Sequence, residues 1–205
     1  MTQFFCFFRH FCDFRLFNNR KMIKEQELVS LCREENRVGF SALFNQYAST
    51  LMGICFRYTG NEEDAREVFQ EGFKKIIELF GSFEFRGEGS LKAWMSKMMI
   101  NAALAYIKKK RREEDRREPL SDNHYEEPFN ERIDLNSVPD DVIRNFISSL
   151  PSGCRTVLNM YLFEGLDHTT IANSLKISSN ASAARLYRAR VLLEGMIKNY
   201  LKQTE

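Results

Sequence analysis

The sequence predicts an all-α protein made of two small helical domains joined by a flexible acidic linker, the C-terminal domain carrying a helix-turn-helix. Three observations predict it. Apolar residues recur at helical spacing through most of the chain, as in Ala65, Val68, Phe69, Gly72, Phe73, Ile76, Ile77 and Phe80. One stretch, 113–138, loses that period and holds Pro119 and Pro128 among Asp, Glu and Asn. Charge is also segregated about this stretch. Eleven acids face three bases from Glu113 to Asp141, and eight bases face four acids from Val142 to the end, so a net charge of +2 conceals two basic regions held apart by an acidic one. A length of 205 residues suits one domain or two small ones, and 43% hydrophobic residues suffice for packed cores.

The first 21 residues are unlike the rest. They hold seven of the eighteen phenylalanines, but Arg9, His10, Asp13 and Arg15 interrupt the run, which makes a poor membrane span and a poor signal peptide. Cys6, His10 and Cys12 lack a fourth ligand at metal spacing. An amphipathic membrane anchor is a minor alternative. The preferred reading is a disordered tail, or sequence upstream of a true start at Met22. The five cysteines are scattered and odd in number, which favours free thiols in a reducing cytoplasm. No apolar run approaches the ~18 residues of a membrane span.

From Ile23 the pattern is helical. Phe40, Leu43, Phe44, Tyr47, Leu51, Ile54, Cys55 and Tyr58 mark the apolar faces of one or two helices that stop at Gly60. Asn61 is placed to cap the next helix, with Asp64 imitating a capping box. Asp64, Glu67, Gln70, Glu71 and Lys74 lie off its stripe, and ordinary solvated surface is the default reading for them. The loop FEFRGEGS, Phe83 to Ser90, then leads into a helix with Ser90 as its expected N-cap. Leu91, Trp94, Met95, Met98, Ala102, Ala105 and Tyr106 form its expected core stripe. Lys97, Asn101 and Lys108 line one edge, with Asn101 expected beside the Phe85 loop. Five consecutive cations, Lys108 to Arg112, end the helix. Aromatics beside a basic edge suit nucleic acid, because cations neutralise phosphates and rings stack on bases. A solvated helix end fits these residues equally well.

Beyond the linker, Pro139 suits a first helical turn, and Val142, Ile143, Phe146, Ile147 and Leu150 form a stripe that ends at Pro151. A second helix covers roughly 153–164, with Val157, Leu158, Tyr161 and Leu162 inward and Gly165 at its end. A short helix carries Ile171, Ala172 and Leu175. After a tight turn at Lys176 and Ile177, Ser178 or Ser179 caps a long helix whose stripe is Leu186, Ala189, Leu193, Ile197 and Tyr200. Two helices about a short turn make a helix-turn-helix pattern, and Ala181, Ala184, Arg185 and Arg188 lie opposite the stripe. Small residues admit a groove there, and arginines reach phosphates or guanine edges. A plain helical bundle with surface arginines is the competing reading.

The segment FRGEGSLKAWMSKMMINAALAYIKKKRR resembles the promoter-melting segment of bacterial RNA polymerase sigma-70 family factors of the extracytoplasmic-function (ECF) group, with Phe85-Arg86-Gly87, Trp94, Asn101 and the basic tail in their places. NEEDAREVFQEGFKKIIELF resembles the family's polymerase-binding helix. SLPSGCRTVLNMYLFEGLDHTTIANSLKISSNASAARLYRARVLL resembles its promoter-binding C-terminal domain. The likeness covers about 23–201 and keeps both domains in order. It departs from the family pattern at Gly72, at Lys176, where a small residue is usual, and at Asn180 to Ala183, where a cation is missing.

The resemblance implies a sigma factor that binds core RNA polymerase and directs promoter recognition and DNA melting. It divides the chain into a tail (1–21), a region 2-like domain (22–112), a linker (113–138) and a region 4-like domain (139–205). It implies polymerase binding by Asp64, Glu67, Gln70 and Glu71. Phe85, Arg86, Ser90, Lys97, Asn101 and Lys108 would contact the minus-ten element, and Ser182, Ala184, Arg185, Tyr187 and Arg188 the minus-thirty-five element. The acidic linker would thread the polymerase channels in place of nucleic acid. The partners implied are core polymerase, promoter DNA and an anti-sigma factor able to hold the protein at a membrane, with no small-molecule substrate. A conventional helix-turn-helix regulator acting without polymerase is the alternative. An enzyme is disfavoured: no nucleotide loop, metal cluster or nucleophile constellation is seen, no cofactor is expected, and His10, His124 and His168 fall in a tail, a linker and a turn.

Overall fold

The structure is a computed structural model and describes residues 23–34, 36–114 and 138–204. The expectations for residues 1–21 and for most of the linker fall outside this description. The chain divides into two compact units, which are taken separately. Among the described residues the regular structure is helical, with eight α-helices and one short 3-10 turn.

The first unit contains α1 (Glu25–Glu34), α2 (Asn36–Thr59), α3 (Glu62–Leu79), the 3-10 turn (Phe80–Ser82) and α4 (Ser90–Glu114). The apolar run after Ile23 therefore makes two helices. α1 packs on α2, and α2 on α3. Leu28, Val29, Leu43, Tyr47, Leu51, Cys55, Tyr58, Ala65, Val68 and Ile76 form much of the shared core. α1 and α2 meet closely at Gly39, where a Cβ would strike the backbone of Leu31 and Cys32. The Gln46 side-chain amide also holds Ile23 from both sides, accepting from its N–H and donating to its carbonyl, each at 3.0 Å. α2 ends as expected at Gly60, whose φ of +81° is left-handed.

α3 starts on the expected cap, with the Asn61 Oδ1 accepting from the Asp64 N–H at 2.8 Å. Its buried stripe is Ala65, Val68, Phe69, Gly72 and Ile76. Ile77, expected inside, is 42% exposed, and Phe44 on α2 is 44% exposed.

On α4 the expected stripe drifts off phase. Leu91, Met95 and Ala102 are buried, but Met99 and Ala103 take the places assigned to Met98 and Ala105, which are half-buried and exposed. The neighbours account for this. Met99 fills the space left by Gly72, where a Cβ would lie 2.5 Å from the Met99 Sδ, and the Cys55 Sγ approaches the same sulfur at 3.8 Å. Burial pushes the Cys55 thiol up to about 12 and the Cys32 thiol up to about 11, so both stay protonated inside the fold.

The second unit contains α5 (Asp140–Ser149), α6 (Ser152–Leu162), α7 (His168–Leu175) and α8 (Ser179–Thr204). Pro139 stands one residue before α5, as its N-cap and not inside the first turn. α6 is enclosed nearly all round. Cys154 to Met160 are all buried, a much wider face than the expected Val157, Leu158, Tyr161 and Leu162. Its buried Arg155 is used for capping: Nη1 donates to the carbonyls of Ser148 (2.5 Å) and Leu150 (3.0 Å) at the end of α5. Leu186, Ala189, Leu193 and Ile197 of α8 face inward as expected.

Candidate nucleic-acid interface

In the second unit, α7 and α8 form the expected helix-turn-helix. Asp167 caps α7, its carboxylate accepting from the Thr170 N–H at 2.6 Å. Hydrogen bonds from the Thr170 backbone hold that carboxyl below its ordinary range. The turn is made by Lys176, the only non-glycine residue with positive φ among the described residues (φ 56°, ψ 48°). The N–H groups of Lys176 and Ile177 both close on the Ala172 carbonyl. Ser178 then caps α8 through an Oγ that accepts from the Ala181 N–H at 3.0 Å.

This geometry fixes which side of α8 faces out. Arg188 is exposed, and Ala184, Arg185 and Tyr187 are half-buried. Ser182, expected to touch DNA, is 0% exposed. It continues the inward stripe one turn before Leu186, and its Oγ lies 3.0 Å from the His168 Nδ1. The His168 ring stacks on Tyr161 at 5.1 Å, and the Arg190 guanidinium lies over the same Tyr161 ring. Asn180 and Ala183 are among the exposed residues at the head of the helix that were not assigned to DNA from the sequence.

In the first unit, the loop between the 3-10 turn and α4 is anchored by an aromatic cluster. Phe83 is buried, with its ring 5.1 Å from Trp94 and 6.1 Å from Phe80, and Phe80 is 5.1 Å from Phe40. Of the two loop aromatics, only Phe85 is left half-exposed. Arg86 is exposed and paired with Glu84 at 3.1 Å. Gly87 and Gly89 adopt φ values of +110° and +90° that side chains resist. Ser90 does not cap α4. It begins the helix, and its hydroxyl closes the loop, donating to the Gly87 carbonyl at 2.6 Å and accepting from the Arg86 N–H at 3.2 Å.

The cap of α4 comes from α1. The Glu25 carboxylate accepts from the N–H groups of Leu91 (2.9 Å) and Lys92 (3.1 Å) and from the Tyr47 hydroxyl (3.0 Å). Lys97, Asn101 and Lys108 share one exposed edge of α4. Asn101 stands three turns in, roughly 16 Å along the axis from Ser90, so it does not lie at the helix end that the loop enters.

The face of α3 is mixed. Glu67, Gln70 and Glu71 are exposed, and the Gln70 line continues to the exposed Ile77 past Phe73, whose ring meets that of Phe44 at 5.3 Å. Asp64 differs from its neighbours. Its carboxylate is taken up inside the unit by Tyr106, Lys110 and Asn61. Burial would raise its pKa, but these hydrogen bonds outweigh burial and the net shift is downward. Among the described residues no group of His, Cys, Asp and Glu could hold a metal, and no helix is long and apolar enough to cross a membrane.

Comparison with known proteins matches these two units. The family model for Sigma-70 region 2 covers residues 43–113 and that for Sigma-70, region 4 covers 140–193. The chain is 25% identical over 189 residues to the RNA polymerase sigma-H factor of Pseudomonas aeruginosa, covering 88% of this chain and 97% of that one. It is also 25% identical over 189 residues to the ECF RNA polymerase sigma-E factor of Haemophilus influenzae, covering 87% and 97%. The co-crystal structure of the sigma factor RpoE in complex with the anti-sigma factor NepR from Bartonella quintana is similar at 19% identity and a TM-score of 0.46, over 78% of this chain and 96% of that one. With both regions matched in order, each on its own helical unit, the chain belongs to the sigma-70 family of RNA polymerase sigma factors, in its extracytoplasmic-function group.

Proposed function

We propose that the protein binds core RNA polymerase in the cytoplasm, guides it to promoters and helps open the DNA, with catalysis left to the polymerase. The observation that carries this is the pairing of a region 2 unit and a region 4 unit in one chain. The exposed Glu67, Gln70 and Glu71, with Phe44 and Ile77 beside them, make a partly apolar, partly acidic docking face for the polymerase. Asp64 serves that face from behind, by fixing α3 against α4.

Phe85 and Arg86 meet an unstacked base at the loop. Lys97, Asn101 and Lys108 track the same strand along α4, where stacking and amide contacts offset the few kcal/mol that unpairing costs. Arg188, Tyr187 and Arg185 read the upstream duplex, with Asn180 and Ala183 admitting the groove. An anti-sigma factor restrains the protein until it is needed.

The test is transcription with core polymerase on a promoter library, followed by two variants on a selected promoter. Arg188→Ala should weaken duplex binding by about 1–3 kcal/mol if the arginine contacts a base edge. Asn101→Ala should leave duplex binding intact and slow transcription, with partial rescue on a pre-melted bubble. Duplex binding without polymerase, and no stimulation of transcription with it, would reject the reading in favour of a conventional regulator.

A further inference from the structure

α1 is far from the loop of Phe83 to Ser90 in sequence, yet it holds that loop and the start of α4 at three points. The Glu25 carboxylate occupies the N-terminus of α4 through Leu91 and Lys92, 66 and 67 residues away. In return, the Glu88 carboxylate on the loop accepts from the Glu25 N–H, at the N-terminus of α1, at 3.3 Å. Two turns further along α1, the Arg33 Nη2 donates to the Phe83 carbonyl at 2.8 Å. α1 thus caps α4, the loop caps α1 in return, and the loop is tied at its entry and its exit.

The brace is stiff. α1 cannot slide on α2, because Gly39 already brings the two backbones together and Gln46 grips Ile23. Glu25 is 4% exposed, and each of its oxygens has a donor. Burial pushes the Tyr47 phenol up to about 12, so the hydroxyl remains a donor to this carboxylate. A buried carboxylate is tolerated where backbone N–H groups and a helix dipole stabilise its charge. By occupying the end of α4, it also denies that end to a DNA phosphate.

We propose that Glu25 is a positioning residue for strand capture, with Arg33 as its partner: together they set the height and angle at which the loop presents Phe85 and Arg86. This rests on the sigma-factor reading of the unit. Neither residue touches DNA in this role. Both act through the backbone of the loop and of α4.

The test uses full-length protein assembled with core polymerase, and as probe a single-stranded DNA oligonucleotide that the wild-type holoenzyme selects from a randomised pool. Glu25→Gln keeps an acceptor but not the charge. Arg33→Ala changes an exposed side chain and removes the second tie while leaving the core intact. Each should weaken oligonucleotide binding, by about three- to tenfold, a range set by the loss of one cap-like interaction. Core polymerase affinity should stay within about twofold of wild type, since the loop is not the docking face. Glu25→Ala should lose more than Glu25→Gln.

A merely structural role would lower polymerase and oligonucleotide binding together, in step with the folded fraction. That outcome overturns the proposal, as does unchanged oligonucleotide binding in Arg33→Ala and Glu25→Gln. A pool from which the wild-type holoenzyme selects nothing overturns the sigma-factor reading itself, and the proposal with it, before any variant is made.

Discussion

Asp64 on α3 and Lys110 on α4 are joined by a 2.6 Å ion pair, 46 residues apart in the chain, and the Tyr106 hydroxyl binds the other oxygen of the same carboxylate at 2.6 Å. The pair ties the helix proposed to meet polymerase to the basic tail of the helix proposed to track DNA. Its first consequence concerns charge reversal. Asp64→Lys strikes the fold as well as any docking surface, so it cannot report on docking. Gln70→Lys with Glu71→Lys should weaken polymerase association and leave the melting temperature unchanged, because both side chains are exposed. Asp64→Ala should destabilise the unit by about 1–2 kcal/mol through the lost hydrogen bonds. Thermal melts and polymerase pull-downs on the two variants check this.

The same contact should make stability depend on pH. The Asp64 pKa is depressed in the fold, so its contribution is fully present above the ordinary carboxyl value of 3.8 and is lost as pH falls through the lower folded value. Burial and the hydrogen bond to Asp64 raise the Tyr106 pKa, so its contribution is present below the ordinary phenol value of 10.0 and declines as pH rises beyond it. The melting-temperature gap between wild type and Asp64→Asn should therefore be flat around neutrality and narrow below about pH 4. A constant gap down to pH 3 would refute this assignment.

The two close helix approaches should differ in tolerance. Gly39→Ala drives a Cβ into the backbone of α1, which cannot move without breaking the Gln46 clamp, and should cost about 1–3 kcal/mol. Gly72→Ala meets the end of the flexible Met99 side chain, so its loss should be smaller. Denaturant unfolding of the two variants ranks them.

Lys176→Gly should stabilise the second unit. Lys176 holds a left-handed backbone that strains an L side chain by roughly 1–2 kcal/mol, partly offset by the greater unfolded-state entropy of glycine. A net gain of up to about 1 kcal/mol is expected, with duplex binding unchanged. A lower melting temperature would contradict it.

Ser182→Ala should act on stability and not on recognition. It removes the partner of the His168 Nδ1 without touching the outer face of α8. A loss of about 1 kcal/mol with unaltered promoter preference is expected. Ala183, one residue on, is exposed, and Ala183→Gln should change promoter preference at little cost in stability. Unfolding curves and selection from a promoter library distinguish the two positions.

Much of this molecule can be read from neighbouring residues alone. Asn61 caps α3 because a side chain at the N-cap reaches an N–H three residues on, whatever else the protein does. Ser178 caps α8, and Gly60 and Gly165 carry left-handed turns, for similarly local reasons. The stripe of α5 is legible because its opposite face is polar, and that of α8 because its opposite face is mostly small or charged. Elsewhere the local pattern is ambiguous. The run MMINAALAY on α4 is apolar nearly all round, so its sequence carries no phase. The space at Gly72 and the sulfur of Cys55 choose Met99 over Met98. Ser182 and Glu25 look like surface residues by type. They are buried because His168, and the N-terminus of α4, arrive from other parts of the chain with the hydrogen bonds that make burial tolerable. Adjacent residues decide where each helix begins, turns and ends, since those hydrogen bonds span three or four positions. Which polar side chains are withdrawn from water, and so which face is left to meet a partner, depends on groups brought together across dozens of residues, and no local spacing records that.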